Sequence, residues 1–467
     1  MARISLLLSL ALLAAHPAAA LAGTTADGRE WPPDPSRYEA AGTPVGGGLK
    51  VGDTLNASNA ALAKDLLPPD VLAHYAKGQY ENPIVSWPRG LMHFDLGFEQ
   101  ATKANAGKYV LGEDGTIVEA SSGKQPEYVY GLPFPEVKPD DPQGGLKALW
   151  NQFFAWWANG HGLFHSKLVW ASPSGVDREA GIDIRYQFYE GQAEKYRAPN
   201  PQGFSVISLN HVLSPVDLQG TAALGHRFRD PARRDASWTY VPALRRVRAV
   251  SPSNRSDGFL GSDLSQDDAH FFDGKPQDFT WKTVGVRDGL RIVDPESVRG
   301  TGGALVYQPE TDGFRINWDR NVPAAGYVVT DRKVFPWAPV SAGLAKRRFW
   351  VVEGVPKDRY YLYGKIELWI DDETWQGAWN RKFSWKDELL HDYQVSSFLN
   401  YPAQRPGDPD VEWMWSSQHT WNAAENLKLD RATLTGMRLT QTAPLDRRVR
   451  HKVEQTFDLN ALARTGK

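Results

Sequence analysis

The feature that most constrains the fold is a series of short segments, from about residue 165 onward, in which apolar and polar residues alternate. The clearest is KIELWID, where Ile366, Leu368 and Ile370 face one way and Lys365 and Glu367 face the other. Period-2 alternation between turns is typical of antiparallel strands with one face on a core and one that water can reach. The sequence therefore predicts a mainly β protein built on a long antiparallel meander.

One segment, LKALWNQFFAWW, has the period of a helix instead. Its apolar residues form a single stripe, composed of Leu146, Leu149, Trp150, Phe153, Phe154 and Trp157. A helix in the core and a helix lying as a lid over the open face of a sheet share this pattern, and both interpretations stay open.

The N-terminal part divides into three pieces. Residues 1–22 carry Arg3, an apolar run and an A-x-A site, which predicts a cleaved secretory signal peptide. Residues 23–49 are rich in Gly, Pro and Ala and predict an extended arm, and residues 52–78 predict two short helices that are separated by Pro68 and Pro69. Because the chain contains no cysteine, it has no site for lipidation and no disulfide framework.

The overall charge and composition indicate which kinds of molecule the chain can bind. The formal net charge of −2 provides no basic field for nucleic acid or for lipid headgroups. The chain has 18 Trp, 17 Tyr and 19 Phe, which suits either a large aromatic β core or an apolar or sugar-like ligand.

The sequence contains no short motif that identifies a catalytic or metal-binding site. The sequence lacks the nucleophile elbow, the phosphate loop, the H-E-x-x-H motif and the dinucleotide fingerprint. His161 and His165 have ligand spacing only on a helix, which the neighbouring glycines oppose. Acidic clusters at 263–273 and 408–412 do not follow the calcium-loop pattern and are more typical of solvated turns. We therefore predict neither a cofactor nor a metal.

Several segments, taken in order, resemble the domain-of-unknown-function family 1329 over residues 50–463. They are GDTLNASNAALAKDLLPPDVLAHYAKG, YGLPFP followed by DPQGGLKALWNQFF, RRVRAVSPSNRSDGFLGSDLSQDD, FDGKPQDFTWKTVG and RRVRHKVEQTFDLNAL. That family looks like an enlarged relative of the periplasmic lipoprotein carriers LolA and LolB. The resemblance implies one β domain, an incomplete antiparallel barrel with helices covering its concave face. It also implies a transporter of the resistance-nodulation-division type as a partner.

The stretch around SDGFLGSDLSQDD is predicted to form a flap at the mouth of a cavity. Gly258 and Gly261 allow tight turning, and Phe259 and Leu260 reach over apolar surface. We expect Asp263 to pin the loop by pairing with an arginine, and the candidate arginines are Arg246 and Arg248. A turn that simply closes a hairpin would select the same residue types.

These observations together predict a periplasmic carrier for a hydrophobic, lipid- or acyl-like ligand, without a cofactor. The expected ligand contacts are Trp150, Phe153, Phe154 and Trp157, with Phe259 and Leu260 at the mouth. Two alternatives remain. One is a hydrolase acting on glycans or lipids, which requires paired carboxylates or a His–acid pair in a pocket. The other is a structural accessory protein of an efflux or export assembly, which requires a filled interior and a large exposed apolar patch.

Overall fold

The structure is a computed structural model. It describes residues 23–24, 28–300, 303–309, 313–318, 334–396, 398–404, 413–419, 421–436, 444–446 and 456–465. The predicted signal peptide, residues 1–22, and the acidic cluster at 408–412 lie outside the described residues.

Most of the strand residues in the described chain belong to one antiparallel sheet. Its main strands are β9 (His161–Ser172), β10 (Gly175–Phe188), β11 (Phe204–Ser214), β12 (Ala222–Phe228), β13 (Ala236–Val241), β14 (Arg246–Val250), β15 (Phe279–Val293), β18 (Gly343–Pro356), β19 (Lys365–Asp371), β20 (Gly377–Phe383), β21 (Leu389–Val395), β24 (Asn422–Asn426) and β25 (Arg431–Thr435). Strands β16 (Gly303–Gln308), β17 (Gly313–Trp318) and β26 (Pro444–Asp446) branch from β9.

The structure also contains short strands outside this sheet, and helices. The remaining strands are β1 (Gly23–Thr24), β2 (Glu30–Trp31), β3 (Pro44–Gly46), β4 (Leu49–Lys50), β5 (Thr54–Leu55), β6 (Asn82–Pro83), β7 (Tyr109–Leu111), β8 (Ile117–Glu119), β22 (Phe398–Gln404) and β23 (Trp413–His419). The α-helices are α1 (Pro69–Ala76), α2 (Leu96–Ala104), α3 (Gly144–Trp157), α4 (Pro295–Val298) and α5 (Leu459–Thr465). Short 3₁₀ turns lie at Pro35–Arg37, Ala60–Ala63, Glu194–Tyr196, Pro242–Leu244, Pro252–Ser256, Phe259–Gly261, Gln266–Asp268 and Pro276–Asp278.

The order of strands along the sheet is β14-β13-β12-β11-β10-β9-β25-β24-β21-β20-β19-β18-β15. Every pairing on this path is antiparallel, and within the described residues β14 and β15 do not pair with each other. The prediction of a large antiparallel sheet that is not closed into a barrel is confirmed.

Alternation in the central strands sorts their residues to two faces, as the sequence predicts. Ile366, Leu368 and Ile370 pack in the same core cluster as α3, on the side we call the inner face. Trp369 packs in a second cluster, on the outer face, with residues of α1 and the segment before it. The expectation that this outer face meets water is wrong for the central strands, because the N-terminal segment covers it.

Helix α3 lies on the inner face and spans the predicted apolar stripe. Two glycines at its start allow this close packing, because a Cβ at Gly144 would lie 2.6 Å from the Trp350 ring and one at Gly145 would lie 2.9 Å from Val352. The prediction of a helix over the sheet is therefore confirmed. Among the described helices, none combines the length and the apolar character that crossing a membrane requires.

Candidate functional site

The inner face of β9–β13 carries two rows of directly paired residues, which share a face because partners in an antiparallel ladder lie side by side. The first row, from β9 to β13, is Phe164, Ile184, Asn210, Ala223 and Thr239. The second row, from β10 to β13, is Tyr186, Ser208, Gly225 and Ser237. In both rows the side chains on β11–β13 are smaller than the side chain on β10.

A cavity of about 180 Å³ lies against these rows. Its mainly apolar end is formed by Trp156 of α3 and by side chains of β9 and β10, namely Phe164, Ser166, Leu168, Ile182, Ile184 and Tyr186, of which Ser166 is the polar exception. Phe259 and Leu264 of the following loop also border it. The aromatic and branched side chains make this end suitable for an apolar group.

The other end of the cavity is polar and reaches the surface. It is lined by Ser208, Asn210, Gly225 and Ser237. Ser208, Asn210 and Gly225 are partly exposed, whereas Ser237 is buried. The cavity thus runs from a buried aromatic end to a partly open polar end over β11–β13.

Two histidines beside Trp156 are held in their neutral form. The ring of His270 lies 4.2 Å from that of Trp156 and 4.4 Å from that of Tyr186, and His419 lies 5.2 Å from Trp156. Burial, with smaller repulsion from His419 and Arg227, lowers the pKa of His270 well below its usual value. Burial, helped by Arg291, also lowers the pKa of His419 to about 3. This wall therefore adds polar atoms to the cavity without adding charge at neutral pH.

The loop over the cavity, residues 256–273, is called the acidic loop here. Arg255 donates to Asp267 at 2.7 Å and to the carboxylate of Asp273 at 3.3 Å. Arg227 donates to Asp273 at 2.8 Å and to Asp235 at 3.0 Å. The acidic side chains of this loop are thus internal counter-ions of buried arginines rather than a solvated turn.

Two further carboxylates of the acidic loop, those of Asp268 and Asp263, are also paired, whereas Asp257 is exposed. Lys382 forms a buried ion pair with Asp268, which in addition caps the turn that begins at Ser265. Arg431 lies 3.0 Å from Asp263, and Asn426 donates to the same carboxylate at 3.0 Å. No group of three or more His, Asp or Glu side chains is placed to hold a metal ion in the part of the chain that the structure describes.

The backbone of the acidic loop is held by its neighbours on both sides. His270 and Phe271 both have positive φ, 55° and 95°, and both are fixed through their carbonyl oxygens. Gln152 of α3 donates to the first carbonyl at 3.0 Å, and Asn380 of β20 donates to the second at 2.8 Å. A positive φ is a strained conformation for a non-glycine residue, and it persists where surrounding contacts impose it.

The four aromatic residues expected to contact a ligand are all buried in α3. Phe154 is fully buried, and Trp150, Phe153 and Trp157 border a separate cavity of about 30 Å³, roughly the space of one or two water molecules. The α3 residue that lines the cavity of about 180 Å³ is Trp156, which is not one of these four. Whether those four side chains touch a ligand stays a prediction.

The predicted flap residues have separate positions. Phe259 lines the cavity, whereas Leu260 is half-buried, adopts a positive φ of 54° and is not among the lining residues. Gly258 is required for tight turning, because a Cβ there would lie 1.8 Å from the carbonyl oxygen of Ser262. The arginine that pairs with Asp263 is Arg431, from β25, rather than Arg246 or Arg248, because those two residues lie exposed on β14.

Apart from Phe259, the residues that form the cavity were missed at the sequence level. His161 and His165, which were considered there, lie on β9, where His165 pairs with Asp183 at 2.5 Å. The alternation in GIDIRYQFYEG places Ile182, Ile184 and Tyr186 on one face, but it does not reveal that this face borders an opening. Only the pairing of β9–β13 brings these side chains together.

Comparison with known proteins identifies relatives. Residues 54–463 match the family described as "Protein of unknown function (DUF1329)". An uncharacterized protein of Pseudomonas aeruginosa is 23% identical over 389 residues, which cover 80% of this chain and 72% of that protein.

Solved structures give more distant likenesses. One is a domain from Vibrio parahaemolyticus described as an outer membrane lipoprotein-sorting protein, with 15% identity, a TM-score of 0.44, and coverage of 69% of this chain and 100% of that one. A DUF1329 family protein of Desulfovibrio piger has 14% identity and a TM-score of 0.42, covering 69% and 99%. A LolA superfamily protein of Nitrosomonas europaea has 12% identity and a TM-score of 0.38, covering 68% and 98%.

Proposed function

Because the chain belongs to the DUF1329 family, whose description assigns no activity, we propose its function from the cavity: it is a carrier for a hydrophobic, acyl- or lipid-like ligand. The observation that carries the proposal is the apolar end between Trp156, Phe164 and Ile184, which continues into a partly open polar end. Such a site suits a molecule with an apolar chain and a polar end.

The size of the cavity sets the scale of the ligand. A protein cavity of roughly 150 Å³ lined by apolar side chains is known to bind one benzene-sized molecule. At about 180 Å³, this cavity would take one aromatic ring or one segment of an acyl chain. Each buried CH₂ contributes about 0.8 kcal/mol to binding. Burial of a few methylenes therefore reaches micromolar affinity only if contacts at the polar end of the cavity also contribute.

The electrostatics of the cavity support binding more than hydrolysis. A hydrolase would need a carboxylate pair or a His–acid pair free to exchange protons. Asp268 and Asp273 line the cavity, but each is held by cations, Asp268 by Lys382 and Asp273 by Arg227 and Arg255. Burial and repulsion from His419 and Arg227 keep the pKa of His270 low, and no carboxylate contributes to that shift.

The cellular setting is a further part of the proposal. We place the carrier in the periplasm because residues 1–22 have the features of a signal peptide. Action beside a transporter of the resistance-nodulation-division type stays a prediction from the sequence resemblance.

The test is to purify the protein from its own cell envelope and to record its native mass spectrum, followed by extraction and analysis of bound compounds. We expect an acyl compound at close to one per chain. A protein that stays empty after incubation with envelope lipids would contradict the carrier function.

A pair of variants in β11 localises the binding. Asn210 lines the cavity, and His211, the next residue, is partly exposed on the opposite face. We expect Asn210→Trp to block uptake of a fluorescent acyl probe and His211→Trp to retain it. Equal uptake by both variants would place the ligand elsewhere.

A further inference from the structure

The first row of the inner face ends in an arginine. Thr239 of β13 pairs directly with Arg248 of β14, so the row that starts at Phe164 and Ile184 continues to Arg248 at the edge of the sheet. Arg246 lies two residues before Arg248, opposite Val241, and therefore on the same face. Two arginines thus lie on the same face of the sheet as the residues of the two rows.

The distance between cavity and arginines suits one small amphiphile. Ser237 in the cavity wall pairs with Val250, which makes it the diagonal neighbour of Arg248, at roughly 7–8 Å between Cα atoms. An extended arginine side chain spans such a gap. Ser208 and Asn210, at the polar and partly exposed end of the cavity, lie on β11, between β10 and this edge of the sheet.

The charge of these two arginines is uncompensated. Arg227, Arg255 and Lys382 around the cavity are each paired with carboxylates of or beside the acidic loop. Arg246 and Arg248 are exposed, and they have no ion-pair partner in the stretches of chain that the structure covers. An anion at the polar end of the cavity would therefore meet, on β14, positive charge that no described carboxylate offsets.

We propose that the ligand is a single-chain amphiphile with an anionic head, carboxylate or phosphate, whose tail lies at Trp156, Phe164 and Ile184 and whose head is bound by Arg246 and Arg248. This inference rests on the proposed carrier function and adds the ligand's head chemistry and its orientation. Arginine suits the task because its planar guanidinium donates two parallel hydrogen bonds to carboxylate or phosphate oxygens.

The arginines have a second explanation, since charged side chains on an edge strand prevent pairing with other chains. That role requires no ligand and makes no distinction between heads of different charge. The two explanations therefore separate in a binding experiment.

The experiment measures binding of four ligands with one octyl chain: octanoate, octyl phosphate, octanol and octyltrimethylammonium. We expect the two anions to bind the wild-type protein more tightly than octanol, and their difference shows which oxyanion fits. We expect Arg248→Gln to weaken anion binding by about two- to fivefold, the range of an exposed ion pair, and the Arg246→Gln, Arg248→Gln double variant to weaken it further. Octanol binding should not change.

The matched control is Arg464→Gln. Arg464 is exposed on α5, which packs against the outer face of β12–β14, so its substitution should leave all four affinities unchanged. Inorganic phosphate alone should compete weakly, because it lacks the chain.

The possible outcomes distinguish a failure of the head assignment from a failure of the carrier function. If octanol binds as tightly as the anions, or if octyltrimethylammonium binds best, or if the double variant binds the anions normally, the head assignment is overturned while the carrier function stands. If inorganic phosphate displaces octyl phosphate at equal concentration, the site binds anions and not amphiphiles. If none of the four ligands binds, the carrier function itself fails.

Discussion

The carboxylate of Asp263 lies 3.0 Å from the guanidinium of Arg431, a residue 168 positions later in the chain. This pair fastens the acidic loop to β25, close to the cavity. Asp263 is almost fully buried, whereas Arg431 is 40% exposed, so the carboxylate depends on its hydrogen bonds more than the arginine does.

Replacing the carboxylate by an amide tests this attachment. We expect Asp263→Asn to lower the free energy of unfolding by about 1–3 kcal/mol, because it weakens charge-assisted bonds to a buried group. Urea denaturation measures the loss, and hydrogen exchange should show faster exchange in residues 256–273. Asp387→Asn is the control, since Asp387 is 71% exposed in its pair with Lys365. An equal loss in both variants would argue against a special role of Asp263.

The aromatic stripe of α3 has a measurable structural role. Phe154 is fully buried, so Phe154→Ala should cost about 3–5 kcal/mol in the free energy of unfolding. Polar substitution of Trp150 or Phe154 should unfold the protein, which would mask any effect on a ligand. Leu429→Ala, at a side chain that is 56% exposed, should change stability by less than about 0.5 kcal/mol. A stable, folded Phe154→Ala variant would show that α3 is not part of the core.

A close contact at β20 controls the strained part of the acidic loop. A Cβ at Gly377 would lie 1.9 Å from the buried ring of Phe271. We expect Gly377→Ala to destabilise the protein by about 1–3 kcal/mol, through displacement of that ring. Thermal unfolding provides the measurement, with Gly112→Ala as the control, because a Cβ there has its nearest neighbour at an ordinary 3.4 Å. A silent Gly377→Ala would mean that Phe271 moves at little cost.

The outer face carries a cluster of carboxylates that makes stability depend on pH. Burial, with repulsion from Asp70 and Glu425, raises the pKa of Asp392 well above its usual value. The folded state therefore holds this proton more tightly than the unfolded state does. Its contribution to stability is present below about pH 4 and is lost as the pH rises through the folded pKa.

Removing the charge should remove this dependence. We expect Asp392→Asn to be more stable than the wild type at pH 7 and to lose that advantage near pH 4. Urea denaturation at both values decides the point, and a destabilised variant at pH 7 would show that the carboxylate is needed in its ionised form. Asp372→Asn is a less buried comparison, because burial also raises the pKa of Asp372 but Arg89 and Arg348 offset it.

The sequence was sufficient for features that depend on local periodicity. The stripe from Leu146 to Trp157 predicted α3, and the alternation around Leu368 predicted the strands, because both patterns are written in consecutive residues. The expectation of a water-facing side failed at Trp369. It failed because the covering segment, which includes α1, comes about 300 positions earlier and carries no local mark of where it docks.

The cavity could not be predicted from the sequence either, because it also depends on contacts between residues that are far apart in the chain. Phe164, Ile184, Asn210 and Ala223 come from four strands, and their alignment depends on strand register. The acidic run suggested a solvated turn because two of its partners, Arg431 and Lys382, are more than 100 residues away. Arg255 is only 12 residues from Asp267, but nothing in the local sequence indicates that this pair is buried.

The position of β9 between β10 and β25 also determines when the cavity comes into existence. Strands β9–β14 are made first and can pair among themselves, whereas Tyr393, Asn422 and Thr435 join the cavity wall only after β21, β24 and β25 have been synthesised. Such long-range closure is a late and slow step in folding. A chain emerging from the ribosome would thus lack a complete cavity until its last strands dock, so binding of the proposed ligand would report that folding is complete.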